Sequence, residues 1–151
     1  MLDNKDQQLL VALQSQARMS VSELANTINL SDTPTLRRIK KLEQEQVIIG
    51  YHAAINPKSL NLNVLVYAFV RLCQNSVSAA QQFEQHVEKL PHVLECSVIS
   101  GSHDYLLKII SHDLESYEQF VKHQLGSLSC IANIESTVVL KQSFSKKQLP
   151  L

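Results

Sequence analysis

Residues 21–42 read VSELANTINLSDTPTLRRIKKL, and this stretch decides the first half of the fold. Val21, Leu24, Ala25 and Ile28 fall at helical spacing, as do Leu36, Ile39 and Leu42, so two helices follow one another. Ser20 and Glu23 form an S-x-x-E capping box before the first. Ser31 offers a hydroxyl to the orphan amides of the second, and Pro34 sits in its first turn, where no amide bond is lost. Only Asn29-Leu30 separates the two, a connection short enough to make them cross steeply, as in a helix-turn-helix. Upstream, Leu9, Leu10 and Leu13 mark a further helix that Asp3 can cap, giving three short helices before Val47.

The last of these helices has a chemical bias. Arg37, Arg38, Lys40 and Lys41 lie within Thr33–Leu42, which contains no anion. At 100° per residue Leu36, Ile39 and Leu42 form the inward stripe, Thr33, Pro34, Arg37, Lys41 and Gln44 point away, and Arg38 and Lys40 flank it. Such a helix suits a major groove, where an arginine pairs with guanine and lateral cations meet phosphates. A basic run by itself is ordinarily a solvated face; the short turn and three-helix context favour DNA.

From Val47 the pattern changes. The run 47–55, VIIGYHAAI, reads as a connecting strand broken by Asn56-Pro57, with Gly50 as a pivot between the halves. Val64–Cys73, Val93–Ser100, Tyr105–Ser111 and Ile131–Lys141 then read as strands, and Ser78–Leu90 and Asp113–Leu125 as helices. The order βαββαβ is ferredoxin-like, and the fold class is α+β. In the first strand both faces are apolar, Val64, Val66, Ala68, Val70 and Leu72 on one and Leu65, Tyr67 and Phe69 on the other. Helices on one side of a sheet cover only one face, so a sheet-to-sheet dimer is expected.

Composition bounds the rest. The 151 residues balance 14 Lys+Arg against 14 Asp+Glu, with 44% hydrophobic side chains, enough for one domain or two small ones and far from a disordered or collagenous chain. Residues 1–50 carry six cations and six anions, yet four of those cations lie between positions 37 and 41, so neutrality conceals a local basic patch. Affinity for a polyanion then requires several copies acting together. Cys73, Cys96 and Cys130 are odd in number, widely spaced and lack a C-x-x-C pair, which fits a reducing cytoplasm better than a disulfide framework. No secretory signal or membrane-length apolar run is evident.

The segment Ser100-Gly101-Ser102-His103-Asp104 joins two strands. Gly101 can take a positive φ or admit a close neighbour, and Asp104 can accept from an ammonium group, so the loop is either a small-molecule site or a plain hairpin turn. The six histidines are scattered, with His92 and Cys96 the only closely spaced pair of metal-ligand type, and no metal site or catalytic constellation is expected.

The three-helix start, LSDTPTLRRIKKLE, the connector VIIGYHAAINP and ECSVISGSHDYLLKI together resemble the Lrp/AsnC family of transcriptional regulators, in order and over nearly the whole chain. The resemblance implies a winged-type helix-turn-helix domain at 1–50, a connecting strand and linker at 51–61, and a ferredoxin-like ligand-binding (RAM-type) and oligomerisation domain at 62–151. It implies that Ser31, Thr33, Pro34, Thr35, Arg37, Arg38, Lys40 and Lys41 face double-stranded DNA at a pseudo-palindromic operator. It further implies an amino-acid effector such as leucine or methionine, held by Val98, Ser100, Gly101, Ser102 and Asp104 and shaped by Leu114, Thr137, Val138 and Val139. Homodimers would assemble further, as octamers, in the cytoplasm, with no cofactor, metal or catalysis. Two departures stand out: Gln46 occupies the usual glycine at the end of the third helix, and Ser102 the usual acidic position after the loop glycine. The alternative is a ferredoxin-like small-molecule-binding or catalytic oligomer whose helical half serves only assembly.

Overall fold

The helices of the first half are bounded by the caps that the sequence supplies. In the computed structural model, which describes residues 2–151, helices α1 (Asn4–Ser15), α2 (Val21–Thr27) and α3 (Asp32–Gln44) precede strand β1 (Val64–Leu72). Helix α4 (Val77–Val87), strands β2 (Val93–Val98) and β3 (Tyr105–Ser111), helix α5 (Leu114–Phe120) and strand β4 (Ile131–Val138) follow. Asp3 and Asp6 form a reciprocal capping box on α1, and Ser20 and Glu23 another on α2. Each cap is worth about 1 kcal/mol. Ser31 has the extended backbone of an N-cap, but its side chain bonds no amide of α3, contrary to expectation. Its carbonyl instead accepts the Thr35 hydroxyl at 2.9 Å.

Leu9, Leu24, Ile28 and Leu42 are almost fully buried and, with Leu10, Leu13 and Ile39, form the helical core. Each large aliphatic side chain removed from water contributes roughly 1.5–3 kcal/mol. The α3 stripe differs from the expected one: Leu36 is 40% exposed, and the buried set is Thr35, Ile39 and Leu42. Spacing by four and three satisfies the helix as well as spacing by three and three, and back-bonding to Ser31 lets the threonine enter the core without an unpaired hydroxyl.

The expected connecting strand is corrected. Residues 51–56 form no strand, Pro57–Leu60 is a 3₁₀ turn, and no wing hairpin follows α3 among the described residues. The physical reason is pairing: a lone extended run has no second run before Pro57 to complete a ladder. Contacts divide the chain into a unit ending at Ala54 that also takes in Ser143–Leu151, and a second unit Ile55–Gln142. The last nine residues thus pack with the helical unit. The Leu149 N–H donates to Gln14 Oε1 at 2.6 Å, and Gln148 Nε2 donates to Ser15 Oγ at 3.2 Å.

The second unit is the expected βαββαβ arrangement, an antiparallel sheet in the order β2-β3-β1-β4. Val66, Ala68, Val70, Leu107 and Ile109 are fully buried with Phe83 and Val87 of α4 and Tyr117 and Phe120 of α5. The opposite face of β1, with Leu65, Tyr67 and Phe69, is only half-buried. After α5, Val121–Leu125 widens into a π turn closed by the Gly126 N–H on Val121 O at 2.7 Å. A Cβ on Gly126 would stand 3.0 Å from Lys122 O, so this tight closure uses the absence of a side chain.

Candidate nucleic-acid interface and effector loop

The turn before α3 is built from backbone geometry. Asn29 adopts φ 53°, its N–H reaches Asn26 O, and Leu30 N–H reaches Ala25 O, the paired bonds of a Schellman closure. Asparagine tolerates the left-handed region well, and Leu30 then packs on the helical core. Lys5 Nζ donates to Ile28 O at 2.5 Å, so a cation from α1 holds the carbonyl end of α2. At the far end of α3, Gln46 takes φ 55° while Val47 N–H bonds Leu42 O and Gln46 N–H bonds Glu43 O. The same closure is thus made at its most strained position by a residue other than glycine.

The predicted DNA-facing residues separate into three groups. Ser31, Thr33, Arg37, Lys40 and Lys41 are exposed, and Pro34 is half-buried beside them. Arg37 and Lys40 have no ion-pair partner among the described residues, and Lys41 makes only a long 3.8 Å contact to Glu45. Thr35 is fully buried, which corrects its assignment to the exposed face. Arg38 bonds Asp3 at 2.7 Å and Asp6 at 2.6 Å, with Asp6 only 5% exposed, so its charge is already answered within the helical unit. The acidic pair lowers the tendency of Arg38 to lose its proton still further. The Asp3 carboxyl is held below the usual carboxylate range, first by the Asp6 amide and then by the Arg38 guanidinium. A shallow groove lined by Asp3, Asp6, Thr33, Leu36, Arg37, Arg38, Lys40, Lys41 and Gln44 results. The sequence reads Asp3 only as a cap and gives Asp6 no role, and local spacing carries no signal for their clamp on Arg38.

In the sheet unit the loop after β2 is a turn with a fixed role for each polar group. Gly101 has φ 128°, and a Cβ there would meet nothing within 4 Å, so backbone conformation rather than space requires glycine. The Asp104 Oδ2 accepts the Leu72 N–H at 2.7 Å, and the Asp104 N–H donates to Val70 O at 2.9 Å. The aspartate therefore ties the loop to the end of β1. His103 lies between Ser102, Phe69 and Glu135, its Nε2 3.5 Å from the Glu135 carboxylate. Val98, Ser100 and Ser102 are exposed.

Leu114, Thr137, Val138 and Val139 lie elsewhere. Val138 pairs with Val66 and the Val139 N–H bonds Leu65 O, while β3 ends with Ser111 opposite Val64 just before Leu114. Asp104 contacts the other end of β1, at Val70 and Leu72. Four residues of strand, roughly 13 Å, separate the two groups along β1. One copy of the sheet thus brings the loop residues together but does not join them to the Leu114 and β4 group.

Other polar clusters are local. Tyr105 OH donates to Glu84 at 2.8 Å and burial pushes its phenol upward, with Glu84 adding to the shift. The histidine rings find separate partners, His92 at Ile110 O and His112 at Asn61 O, and no group of three metal-ligating side chains converges among the described residues. No helix among the described residues is long and apolar enough to cross a membrane.

Comparison with known proteins places this geometry. Residues 2–43 match the AsnC-type helix-turn-helix domain and residues 65–149 the Lrp/AsnC ligand binding domain. The chain is 37% identical over 141 residues to the proline dehydrogenase transcriptional activator of Rhodobacter capsulatus, covering 93% of this chain and 92% of that one. It is 34% identical over 141 residues to the leucine-responsive regulatory protein of Escherichia coli K12, covering 93% and 86%. A transcriptional regulator of Neisseria meningitidis, solved in complex with L-methionine, superposes with a TM-score of 0.95 at 33% identity, covering 99% of this chain and 97% of that one. These relatives are named as regulators and activators rather than enzymes. With both halves matched in order, the chain belongs to the Lrp/AsnC family of transcriptional regulators.

Proposed function

We propose that this regulator lays α3 in the major groove of a pseudo-palindromic operator and that its DNA binding or assembly responds to a small amino acid such as leucine or methionine. The observation that carries the DNA reading is the exposed set Thr33, Arg37, Lys40 and Lys41 on α3 of an AsnC-type helix-turn-helix. Arg37 is the base-reading candidate, because a guanidinium can pair bidentately with guanine, and Lys40 and Lys41 supply phosphate contacts. Arg38 orients α3 through Asp3 and Asp6 rather than touching DNA.

The effector reading rests on the loop around Gly101 and on the methionine complex of the Neisseria relative. Because the loop group and the Leu114, Thr137, Val138 and Val139 group lie apart on one sheet, both contribute to one site only where copies meet. The half-buried face of Leu65, Tyr67 and Phe69 supports a homodimer, and the family resemblance supports further assembly to an octamer. Regulation then requires an amino acid that binds one arrangement of copies better than another and so changes the spacing of paired α3 helices. Gly50, in the strandless stretch after α3, is the pivot of this reading. A DNA-binding regulator of this kind works in the cytoplasm.

Selection of bound duplexes from a random pool, with and without an amino-acid mixture, tests the reading. The expected product is an inverted repeat whose half-sites lie about one helical turn or a multiple apart and whose enrichment changes with the mixture. Recovery of unrelated sequences in both arms would refute it.

A further inference from the structure

We propose that Cys73 and Cys130 form a dithiol oxidation site, closing to a reversible disulfide in response to hydrogen peroxide. The two residues face each other where β1 and β4 run out: Leu72 is paired with Ile131, and one step further the Cys73 N–H donates to Cys130 O at 2.8 Å. Opposed residues of an antiparallel ladder have Cα atoms about 4.5–5.5 Å apart, inside the roughly 4.4–6.8 Å window of a disulfide, and the register shift between Arg71 and Leu72 falls before the pair. Both thiols are free, and both line one small cleft beside α4, with Ser76, Ala79 and Gln82.

Their exposures differ in the way a sensing pair requires. Cys73 is exposed, its Sγ resting 3.5 Å from Ser129 O, whereas Cys130 is buried in the sheet core at 7%. A peroxide therefore reaches Cys73 first. The Cys73 thiolate attacks one peroxide oxygen; an S–O bond forms, the O–O bond breaks, and the departing oxygen takes up a proton as water. The Cys130 thiolate then attacks Cys73 Sγ; the S–S bond forms, the S–O bond breaks, and a second water leaves. Two thiols lose two electrons in total, and the peroxide is reduced to two waters.

The third cysteine is excluded by the strand order. Cys96 lies on β2, two positions from β1 and three from β4, and in register with Leu107 and Ala68, so five residues of strand as well as the lateral spacing separate it from Cys73. The pair also adjoins the effector loop, because Leu72, the neighbour of Cys73, gives its N–H to Asp104. A covalent link there fixes the end of β1 to which that loop is tied.

Full-length reduced protein challenged with hydrogen peroxide, quenched by alkylation and mapped by mass spectrometry, tests the site. The expected result is an intramolecular link between the Cys73 and Cys130 peptides, two hydrogens lighter and reversed by dithiothreitol, with Cys96 still alkylated. In Cys130→Ala, Cys73 should accumulate as a sulfenic acid trapped by dimedone, several-fold above the parent chain. A link that includes Cys96, a link only between chains, or Cys73 driven to sulfinic acid while Cys130 stays alkylatable would each overturn the proposal. Mapping the unaltered chain carries the test even if the buried substitution unfolds the sheet.

Discussion

The Arg38 guanidinium lies 2.6 Å from the nearly buried Asp6 carboxylate, while Arg37, its neighbour in sequence, has no ionic partner among the described residues. Adjacent arginines on one helix point about 100° apart, so one serves the fold and the other is free for a ligand.

Arg38→Ala should therefore reduce stability by roughly 1–3 kcal/mol, because it leaves the Asp6 Oδ1 buried without a donor. Arg37→Ala should leave urea unfolding unchanged and weaken specific DNA binding by about 1–3 kcal/mol. Lys40→Ala should lower the salt dependence by about one unit of slope and weaken all sequences alike. Urea unfolding and binding isotherms at several salt concentrations measure these separately. Equal stability losses for both arginine variants would contradict the division of roles.

The same clamp gives the helical unit an acid limit. The Asp3 carboxyl is held below its usual value by the Asp6 amide and by Arg38. A depressed carboxylate contributes stability that is fully present above its unfolded value, about 3.9, and is lost as pH falls through the lower folded value. Asp3→Asn should lower stability at neutral pH, where the contribution is fully present, and flatten the pH dependence of unfolding below about pH 4. Circular dichroism across an acid titration distinguishes the two curves.

Asp104 tests how far the loop is structural. Its carboxylate accepts the Leu72 N–H, so Asp104→Ala should cost roughly 1–3 kcal/mol by leaving that half-buried amide unpaired. Asp104→Asn keeps an acceptor oxygen and should retain most of the stability while removing the charge. Calorimetric titration with leucine and methionine then reads the charge alone: loss of binding in the folded asparagine variant assigns the aspartate to the ammonium group of the effector, and an unchanged isotherm confines it to the turn.

Periodicity located the helices and strands because burial on one face repeats along them, and the Schellman role of Gln46 was legible from a single missing glycine. Leu36 reads as core because polarity ranks leucine ahead of threonine, and only the resemblance turns Thr35 toward DNA, whereas a hydroxyl bonded to the Ser31 carbonyl enters the core at little cost. The strand expected across Val47–Ile55 failed because sequence reports extended propensity, while a strand also needs a partner. The Arg38 clamp and the tie of the tail to Gln14 were hidden for the same reason: each joins residues far apart in sequence, and local spacing holds no record of them.

Gln46 provides a stabilising prediction. A non-glycine residue at φ 55° costs about 1–2 kcal/mol, and glycine's extra freedom in the unfolded chain returns roughly 0.5–1 of this. Gln46→Gly should raise stability by about 0.5–1 kcal/mol, less the small contribution of the Gln46 Nε2 bond to Glu43 O. A higher urea midpoint with an unchanged slope is the expected signature.

Tyr67 lies at the centre of the half-buried sheet face, opposite Lys108 of β3 and Thr137 of β4. Tyr67→Glu places a carboxylate across from an ammonium group, an arrangement an exposed sheet tolerates, so a single copy should keep its fold. If two such faces pack together, the same substitution buries a charge on each side of the interface, and neither lysine, already 2.6 Å from Glu95, is free to follow it without breaking that pair. Sedimentation should then show smaller species with native circular dichroism. An unaltered oligomer would mean that copies meet through another surface.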